Sequence, residues 1–380
     1  MSGFAQLGDV ADFINGAAFK PDDWCESGTP IIRIQNLTDR SKPFNRTNRA
    51  VPSKLRVQPG DLLVSWSATL GVFEWEGPEE AFLNQHIFRV IPDQRRVDKQ
   101  YLRHALVGAL VDMQRHLHGA TMQHVNRGEF LGTRLFLPQL PEQRRIAEVL
   151  DRADALRAKR RATLAQLDSL TQSIFLDMFG NPATNPKGWP LSTVADLAEQ
   201  VTDGEHLTPK RTLVGIKLLS ARNVRDGFID MEKVDYIDDK EYKRISRRCK
   251  PTFGDVLISC SGTIGRVASV ETDEAFSLVR SVALVRLKRV VMNYKFFESY
   301  MRTPSLRALM TKRANASSQA NLFQGPLKEI PVYLPPLELQ QIFAHRITAV
   351  ETLKATHRAA LTELDALFAS LQHRAFRGEL

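Results

Sequence analysis

An internal duplication constrains this chain more than any other feature of its sequence. The segment GDLLVSWSATLG at residues 60–71 returns as GDVLISCSGTIG at residues 254–265, with seven of twelve positions identical. The segment EEAFLNQHIFRVI from Glu79 likewise returns as DEAFSLVRSVALV from Asp273. Because similarity at a nearly fixed offset is the signature of a repeated structural unit, the sequence predicts two related halves. A length of 380 residues also suits two domains of ordinary size.

Further matches extend the duplication over nearly the whole chain. The segment LFLPQLPEQRRI is answered by VYLPPLELQQI, and single aromatic residues before and after these segments are also matched. The residue pairs that this alignment predicts to be equivalent are Tyr101 with Tyr294, Ile146 with Ile342, and Phe179 with Phe376.

Each copy opens with a region rich in predicted strands. Short β-branched or alternating runs such as PIIRIQNL, DLLVSW and VLISCSG are separated by Gly, Pro and Asn. Within these regions, the segments from Tyr101 and from Tyr294 carry apolar residues at three- and four-residue steps, which predicts at least one helix in each. The predicted fold class is therefore α+β.

Each copy closes with a long helical pattern that contains no internal Gly or Pro, from Pro141 to about Met178 and from Pro336 to about Phe376. Apolar residues at coiled-coil-like steps form one seam along each pattern. The predicted seam residues are Ile146, Leu150, Ala153, Leu156, Leu164, Leu167, Leu170, Ile174 and Met178 in the first helix, and Phe343, Ile347, Val350, Leu353, Leu361, Leu364, Phe368 and Leu371 in the second.

A seam this narrow needs a partner, and each helix has one with the same period. The sequence thus predicts two pseudo-twofold-related α+β domains separated by an antiparallel, coiled-coil-like pair of long α-helices. The predicted boundaries are residues 1–140 for the first domain, 141–180 for the first helix, 181–335 for the second domain and 336–380 for the second helix.

Composition favours a polyanionic partner. Lys and Arg number 52 against 43 Asp and Glu, which gives a formal charge of +9. Cys25, Cys249 and Cys260 show no zinc-site spacing, and an odd number of cysteines fits a reducing compartment. No signal-peptide pattern opens the sequence and no run of about 18 apolar residues occurs, so we expect a soluble cytoplasmic protein with no membrane contact.

The predicted geometry suits DNA. A helix of about 36 residues is roughly 54 Å long, whereas B-DNA repeats about every 34 to 36 Å. Two similar but non-identical domains at such a separation fit a double-stranded DNA site whose halves differ and are divided by base pairs that are not read.

At this point the sequence resembles the specificity subunits (HsdS family) of Type I restriction-modification systems. The paired GDLLVSWSATLG and GDVLISCSGTIG segments, the LPQLPEQRRIAEVL and LPPLELQQIFAHRI helix starts, and the FRGEL ending carry the resemblance over essentially the entire chain. In the second copy, LELQQI lacks the glutamate-glutamine pair of PEQRRI.

The resemblance implies a bacterial or archaeal host-defence protein that is not itself an enzyme. Two target-recognition domains would each read one half of a bipartite, asymmetric site, and the helices would set the spacing and dock modification (methyltransferase) subunits, two of them. Restriction subunits with ATP-dependent translocase and nuclease activity would complete the complex. It implies no cofactor in this chain, with S-adenosylmethionine, ATP and Mg²⁺ in the partner subunits.

Side chains with directional donors and acceptors in predicted turns are the candidates for reading bases. The predicted DNA-binding residues are Arg33, Gln35, Asn36, Gln85, His86, Gln123, His124, Asn126 and Arg127 in the first half, and Arg222, Asn223, Arg280, Ser317, Ser318, Gln319 and Asn321 in the second. By contrast, the repeated Ser65, Ser67 and Thr69 and their copies Ser259, Ser261 and Thr263 are predicted to belong to the scaffold, because domains that read different bases should differ where they touch them.

The sequence leaves open three alternatives to the function of a Type I specificity subunit. One is a DNA-recognition subunit of a related methyltransferase or nuclease assembly. Another is an autonomous Mg²⁺-dependent nuclease, built on Asp226, Glu241 and Lys243, although these carboxylates have no equivalent in the first half. The third is a protein-binding adaptor, which a weak salt dependence of binding would distinguish from a DNA reader. A methyltransferase or ATPase is disfavoured because the glycine-rich loops of those enzymes are missing from the sequence.

Overall fold

A computed structural model of the chain describes residues 3–116, 127–315, 321–322 and 324–380. Contacts divide the chain into two compact units, which we call the first unit (Met1–Arg161 with Ala359–Leu380) and the second unit (Ala162–Arg358). These boundaries differ from the predicted domain boundaries because each unit packs one part of each long helix into its own core. Among the described residues, no helix is both long enough and apolar enough to cross a bilayer.

The first unit combines short strands with helices. Its described strands are β1 (Phe4–Gln6), β2 (Ala11–Asn15), β3 (Thr29–Ile32), β4 (Asn45–Thr47), β5 (Arg56–Val57), β6 (Leu62–Ser65), β7 (Gly71–Glu74), β8 (Ala81–Leu83), β9 (Ile87–Pro92) and β10 (Arg134–Phe136). Its described helices are α1 (Leu7–Val10), α2 (Ile34–Thr38), α3 (Lys99–His116) and α4 (Arg127–Leu131), followed by the long helix α5 (Leu140–Phe179), which continues into the second unit.

The second unit follows the same plan. Its described strands are β11 (Leu191–Thr193), β12 (Ala198–Asp203), β13 (Arg211–Thr212), β14 (Ile216–Leu219), β15 (Val224–Arg225), β16 (Phe228–Ile229), β17 (Asp235–Ile237), β18 (Val256–Ser259), β19 (Val267–Ser269), β20 (Phe276–Leu278), β21 (Val282–Leu287) and β22 (Pro331–Tyr333). Its described helices are α6 (Val194–Leu197), α7 (Asp239–Ser246), α8 (Tyr294–Met301), α9 (Pro304–Asn315) and α10 (Gln324–Lys328), followed by the long helix α11 (Leu337–Ala375), which ends in the first unit.

The two units share the order of the antiparallel sheet and three strands of the mixed sheet; the fourth strand of the mixed sheet, β5 or β13, lies at opposite edges in the two units. An antiparallel sheet is ordered β2-β9-β6-β7 in the first unit and β12-β21-β18-β19 in the second. A mixed sheet is ordered β4-β3-β8-β5 in the first unit and β13-β17-β14-β20 in the second, and each contains one parallel pair, β3 with β8 and β14 with β20. The duplication and the α+β class predicted from the sequence are therefore confirmed.

Backbone hydrogen bonds show which residues of the two units correspond. The N–H of Trp66 donates to the carbonyl of His86 (3.3 Å), and in the second unit the N–H of Cys260 donates to the carbonyl of Ser281 (2.8 Å). Trp66 therefore corresponds to Cys260 and His86 to Ser281. The second unit has one more residue between these points, so Gln85 corresponds to Arg280.

The long helices begin with equivalent buried glutamines. The side-chain amide of Gln143 donates to two carbonyls at 2.9 and 2.8 Å, and that of Gln340 does so at 3.1 and 2.8 Å. Ile146 therefore corresponds to Phe343, and its predicted match with Ile342 is wrong by one residue. The second copy retains the glutamine of PEQRRI and differs at the glutamate.

Aromatic contacts test two more of the predicted matches. Tyr101 contacts Phe376 (ring centroids 5.5 Å apart), and Phe296 contacts Phe179 (4.6 Å). Tyr101 and Phe296 each lie three residues after the side chain that caps α3 or α8. The match of Phe179 with Phe376 is thus confirmed, and that of Tyr101 with Tyr294 is wrong because Phe296 takes the place of Tyr101.

In the first unit, α5 and α11 pack in opposite directions. Arg157 donates to the carboxylate of Asp365 (Nε–Oδ1 2.6 Å), and its guanidinium lies 4.3 Å from the ring centroid of Phe368. Arg161 contacts the same carboxylate at 3.0 Å. From Arg157 to Arg161 along α5, the contacts on α11 move from Phe368 back to Asp365. The two segments therefore run antiparallel.

The second unit repeats this arrangement with its own segments of the two helices. Lys354 pairs with Asp168 (Nζ–Oδ1 2.9 Å), at the positions equivalent to the ion pair of the first unit. Phe343, near the start of α11, packs against Phe175, near the end of α5, with ring centroids 5.7 Å apart. The predicted antiparallel packing is present in each unit.

Three predicted seam residues are exposed. Leu156, Leu170 and Leu353 have exposed fractions of 53%, 43% and 46%. In each case the following residue, Arg157, Thr171 or Lys354, takes the inward position instead. The long aliphatic part of an Arg or Lys side chain, or a Thr hydroxyl, is accommodated there. For example, Lys354 is almost fully buried and donates to Thr171 (3.1 Å) and to nearby carboxylates.

Candidate nucleic-acid interface

In each unit, two parallel strands end at the same edge of a sheet. Strands β3 and β8 lead into residues 33–38 and 84–86, and the N–H of Asn84 donates to the carbonyl of Ile32 (3.0 Å). Strands β14 and β20 lead into residues 220–223 and 279–281, where the N–H of Val279 donates to the carbonyl of Leu219 (3.0 Å). We call these loop pairs the first edge and the second edge.

The first edge brings together several predicted residues. The Arg33 guanidinium lies 5.7 Å from the ring centroid of Trp24, and Gln35 is exposed on α2. Gln85 and His86 form the turn between β8 and β9, with their Nε2 atoms 3.3 Å apart. This side of the unit therefore presents a guanidinium, two amides and an imidazole together.

Aromatic rings support this edge. Trp66 packs against His86 and Phe88, with ring centroids 5.5 and 5.8 Å apart. Arg127, the first residue of α4, lies over Phe88 at 5.5 Å and donates to the carbonyl of Phe13 (3.0 Å). Arg127 is thus held beside the turn that carries His86, as a cation on an aromatic platform.

The second edge presents arginines. Arg222 is exposed and pairs with Asp235 at 3.3 Å. Arg280 is exposed in the β20–β21 turn, and within the described part of the chain no hydrogen bond or ion pair to its guanidinium is found. Arg280 and Asn321 line a cleft of about 270 Å³, together with Asp203 and Gln324.

Two predicted residues belong to the interior instead. Asn36 and Asn223 are buried at equivalent positions. The side-chain oxygen of Asn36 accepts from the N–H of Arg33 (3.1 Å), and its NH₂ group donates to two carbonyls at 3.1 and 3.2 Å. Asn223 makes the same three bonds, at 3.0, 3.1 and 3.0 Å. The prediction of DNA contact is corrected here, because amides engaged in shaping the loops do not face a ligand.

We expect Asn223→Ala to lower the free energy of unfolding by about 1–3 kcal/mol, because it leaves buried backbone groups without partners. Arg222→Ala, one residue away, removes an exposed ion pair and should lower it by less than about 1 kcal/mol. Urea unfolding of the two variants measures both values. Equal stability of Asn223→Ala and the wild type would contradict the structural role of this asparagine.

Six further predicted residues lie outside the residues that the structure describes, and their prediction stands as made from the sequence. They are Gln123, His124, Asn126, Ser317, Ser318 and Gln319.

Some scaffold residues are the same in the two edges, whereas the side chains around them differ. Ser65 and Ser259 are buried and donate to the carbonyls of Thr69 and Thr263, which confirms their predicted scaffold role. The buried Asn36 and Asn223 are also shared. The equivalent pairs that differ are Gln35 with Arg222, Gln85 with Arg280, His86 with Ser281, Arg127 with Gln324, and Asn15 with Asp203.

Among these residues, sequence reasoning missed Asn15, Asp203, Ser281 and Gln324. Asn15 and Asp203 end equivalent strands, and Gln324 begins α10 as Arg127 begins α4. Gln324 donates to the carboxylate of Asp203 (2.7 Å), so both belong to the second edge. An alignment of the two halves that allowed loop insertions would have placed Gln324 opposite Arg127.

The carboxylates of the nuclease alternative are engaged by arginines. Asp226 pairs with Arg307, and Glu241 accepts two bonds from Arg244 (3.1 and 2.8 Å), which lower the pKa of the Glu241 carboxyl. Within the described ranges, no group of three or more His, Cys, Asp or Glu side chains is placed to hold a metal ion. The arrangement gives no support to a two-carboxylate metal centre at this loop.

The model of the Type I restriction modification DNA specificity domain matches residues 2–167 and 229–366, so it occurs once in each half of the sequence. The chain belongs to this family. The resemblance found in the sequence is thereby confirmed, and so is the two-domain α+β architecture with its long helices.

Individual relatives agree with the family. The chain is 25% identical to the Type I restriction enzyme EcoBI specificity subunit of Escherichia coli, with 98% of this chain and 85% of that one covered. It is 23% identical to the EcoKI specificity subunit of Escherichia coli strain K12 (99% and 88%) and 21% identical to the MjaVIII specificity subunit of Methanocaldococcus jannaschii (92% and 85%).

Solved structures agree in fold. The crystal structure of the Type-I restriction-modification system S subunit from M. genitalium superposes with a TM-score of 0.61 at 13% identity, covering 98% of this chain and 95% of that one. A structure from a study of complex assembly and conformational transition of the type I R-M system gives a TM-score of 0.54 at 17% identity, with 99% and 98% covered. At these identities the likeness concerns the fold alone.

Proposed function

We propose that this chain is the DNA-reading subunit of a Type I restriction-modification complex, and that each edge reads one half of a bipartite, asymmetric site. One observation carries the proposal: two copies of one scaffold present different hydrogen-bonding side chains at equivalent positions of the two edges, such as Gln35 with Arg222 and Gln85 with Arg280. A protein that reads two different half-sites needs this combination of shared scaffold and unlike surface.

The chemistry of both edges suits DNA bases and phosphates. A Gln amide donates one hydrogen bond and accepts another side by side, and an Arg guanidinium donates two in parallel, which are the paired directions that base edges in the major groove require. Arg33 and Arg127 add guanidinium groups that lie over the rings of Trp24 and Phe88, and guanidinium groups are typical phosphate contacts. The net charge of +9 adds a general attraction to the duplex.

The long helices have a separate role in this proposal. Helices α5 and α11 run for 40 and 39 residues, and equivalent ion pairs, Arg157 with Asp365 and Lys354 with Asp168, join them in the two units. We propose that they set the spacing between the half-sites and dock two modification subunits. The relatives are all specificity subunits of Type I restriction enzymes, which supports a place for this chain within a larger complex.

Catalysis belongs to the partners in this proposal. The chain itself carries out no reaction, and S-adenosylmethionine, ATP and Mg²⁺ bind to the modification and restriction subunits. The complex acts on the DNA of a bacterial or archaeal cytoplasm, in keeping with relatives from Escherichia coli and Methanocaldococcus jannaschii.

Replacing residues 1–140 by the first domain of another family member tests the two-reader proposal. The hybrid is expressed with its modification subunits, and the methylated adenines of the host genome are mapped by sequencing. We expect one half of the recognised motif to change while the other half and the spacing stay the same. The reciprocal replacement of residues 181–335 is the control, and a change of both halves in either hybrid would refute the proposal.

A further inference from the structure

The turn that follows the second parallel strand has the same geometry in both units. In the first unit the N–H of Ile87 donates to the carbonyl of Asn84 (3.1 Å), and in the second the N–H of Val282 donates to the carbonyl of Val279 (3.0 Å). Each hydrogen bond closes a turn with two central residues. Gln85 and Arg280 are the first central residues, so the two scaffolds place these unlike side chains at one equivalent point.

Gln85 has unused hydrogen-bonding capacity. Its side-chain oxygen is buried and, among the residues that the structure describes, no partner for it is found; the same holds for Nδ1 of His86. A buried amide oxygen without a partner is unfavourable and calls for an explanation. A ligand that offers one donor and one acceptor side by side would satisfy both ends of this amide once the side chain turns toward it.

Arg280 is equally available. The acidic side chain that lines the cleft with it, Asp203, accepts from His206 (2.7 Å) and Gln324 (2.7 Å) and pairs with Arg248 (3.3 Å). These partners already balance the Asp203 carboxylate. The planar guanidinium of Arg280 thus keeps its paired donors for a ligand that offers two acceptors side by side.

We infer that Gln85 and Arg280 are the specificity-determining residues of one shared reading position, with Gln85 selecting adenine in the first half-site and Arg280 selecting guanine in the second. Adenine offers N6–H and N7 to an amide, and guanine offers O6 and N7 to a guanidinium. The inference rests on the proposed function, since it assigns bases within half-sites that the proposal defines.

Exchanging the two side chains tests the inference. Gln85→Arg and Arg280→Gln are each made in the full chain and assembled with the modification subunits, and binding is selected from duplexes with randomised half-sites. Gln85→Arg should change one position of the first half-site from adenine to guanine, and Arg280→Gln should change one position of the second from guanine to adenine. Each variant should bind the original site about 5- to 150-fold more weakly, the discrimination of one bidentate base contact.

Matched controls make the same chemical changes at the far ends of the same strands. Gln94→Arg lies in the turn after β9, and Arg289→Gln lies after β21. Both should leave the motif unchanged. Where an exchange lowers assembly of the complex, Gln85→Ala and Arg280→Lys take its place and should lose selectivity at the same single position.

The outcomes separate this inference from the proposed function. If the wild-type complex selects no bipartite motif, the proposed function fails. If the wild-type motif is bipartite and the exchange variants keep it, or lose affinity equally for all sequences, then Gln85 and Arg280 are not base-reading residues and the inference alone is overturned. A shift confined to one base pair of the matching half supports it.

Discussion

Phe343→Ala is expected to lower the free energy of unfolding of the second unit by about 3–5 kcal/mol, the usual cost of removing a buried aromatic ring. Phe343 is fully buried where α11 begins, and its ring lies 5.3 Å from that of Phe179 and 5.7 Å from that of Phe175. It therefore ties both long helices to α8 through Phe296, at 6.3 Å. Urea unfolding followed by tryptophan fluorescence, with Trp189 packed on the same core, measures the loss.

The matched control is Ile342→Ala. Ile342 precedes Phe343 but is 44% exposed, so its replacement should cost less than about 1 kcal/mol. The comparison tests the register of α11 as well as the core. Similar losses for both variants would mean that Ile342 shares the buried position, as the simple alignment of the two halves has it, and would contradict the register described above.

The duplication was predictable from the sequence because the two halves share long segments with the same regular spacing of residues. The two helical segments and the GDLLVSWSATLG repeat each keep one offset over many residues. Their fold follows from periodicity, which survives substitution as long as apolar residues stay apolar. The long helices begin and end close to the predicted residues for the same reason.

The register of individual residues was not predictable in the same way, because loops of unequal length separate the matched segments. Trp66 corresponds to Cys260, but one additional residue in the second unit shifts the next turn. The sequence match therefore set Gln85 opposite Val279 and concealed its equivalence to Arg280. Hydrogen bonding between strands fixes this register, and those bonds join residues that are distant in the sequence.

The candidate site was predicted only in part, because side chains that hold loops in place and side chains that read bases use the same chemistry. Asparagine amides suit both, so Asn36 and Asn223 were selected together with Gln35 and Arg222. A signal was present in the sequence: RIQNL and SARNV share the asparagine and differ beside it. Identity at equivalent positions indicates scaffold, and difference indicates the readers.

Gly204→Ala is expected to destabilise the second unit by about 3 kcal/mol or more and to abolish selection of the second half-site. A Cβ atom at Gly204 would lie 2.4 Å from the carbonyl atoms of Leu278 and Val279, closer than real Cβ atoms come to other heavy atoms. Gly16 is equally close to the equivalent carbonyls of the first unit, at 2.3 Å. The absence of a side chain lets the end of β12 lie against the turn that carries Arg280.

Gly325→Ala is the control for this change, since a Cβ there meets no atom of the described residues within 4 Å and α10 should gain slightly from a better helix former. Both variants are assembled with the modification subunits and compared by urea unfolding and by selection from randomised half-sites. Because the contact lies within one unit, Gly204→Ala should leave the first half of the motif intact. Wild-type stability together with an unchanged second half would show that close packing of β12 against this turn does not hold the second edge in place.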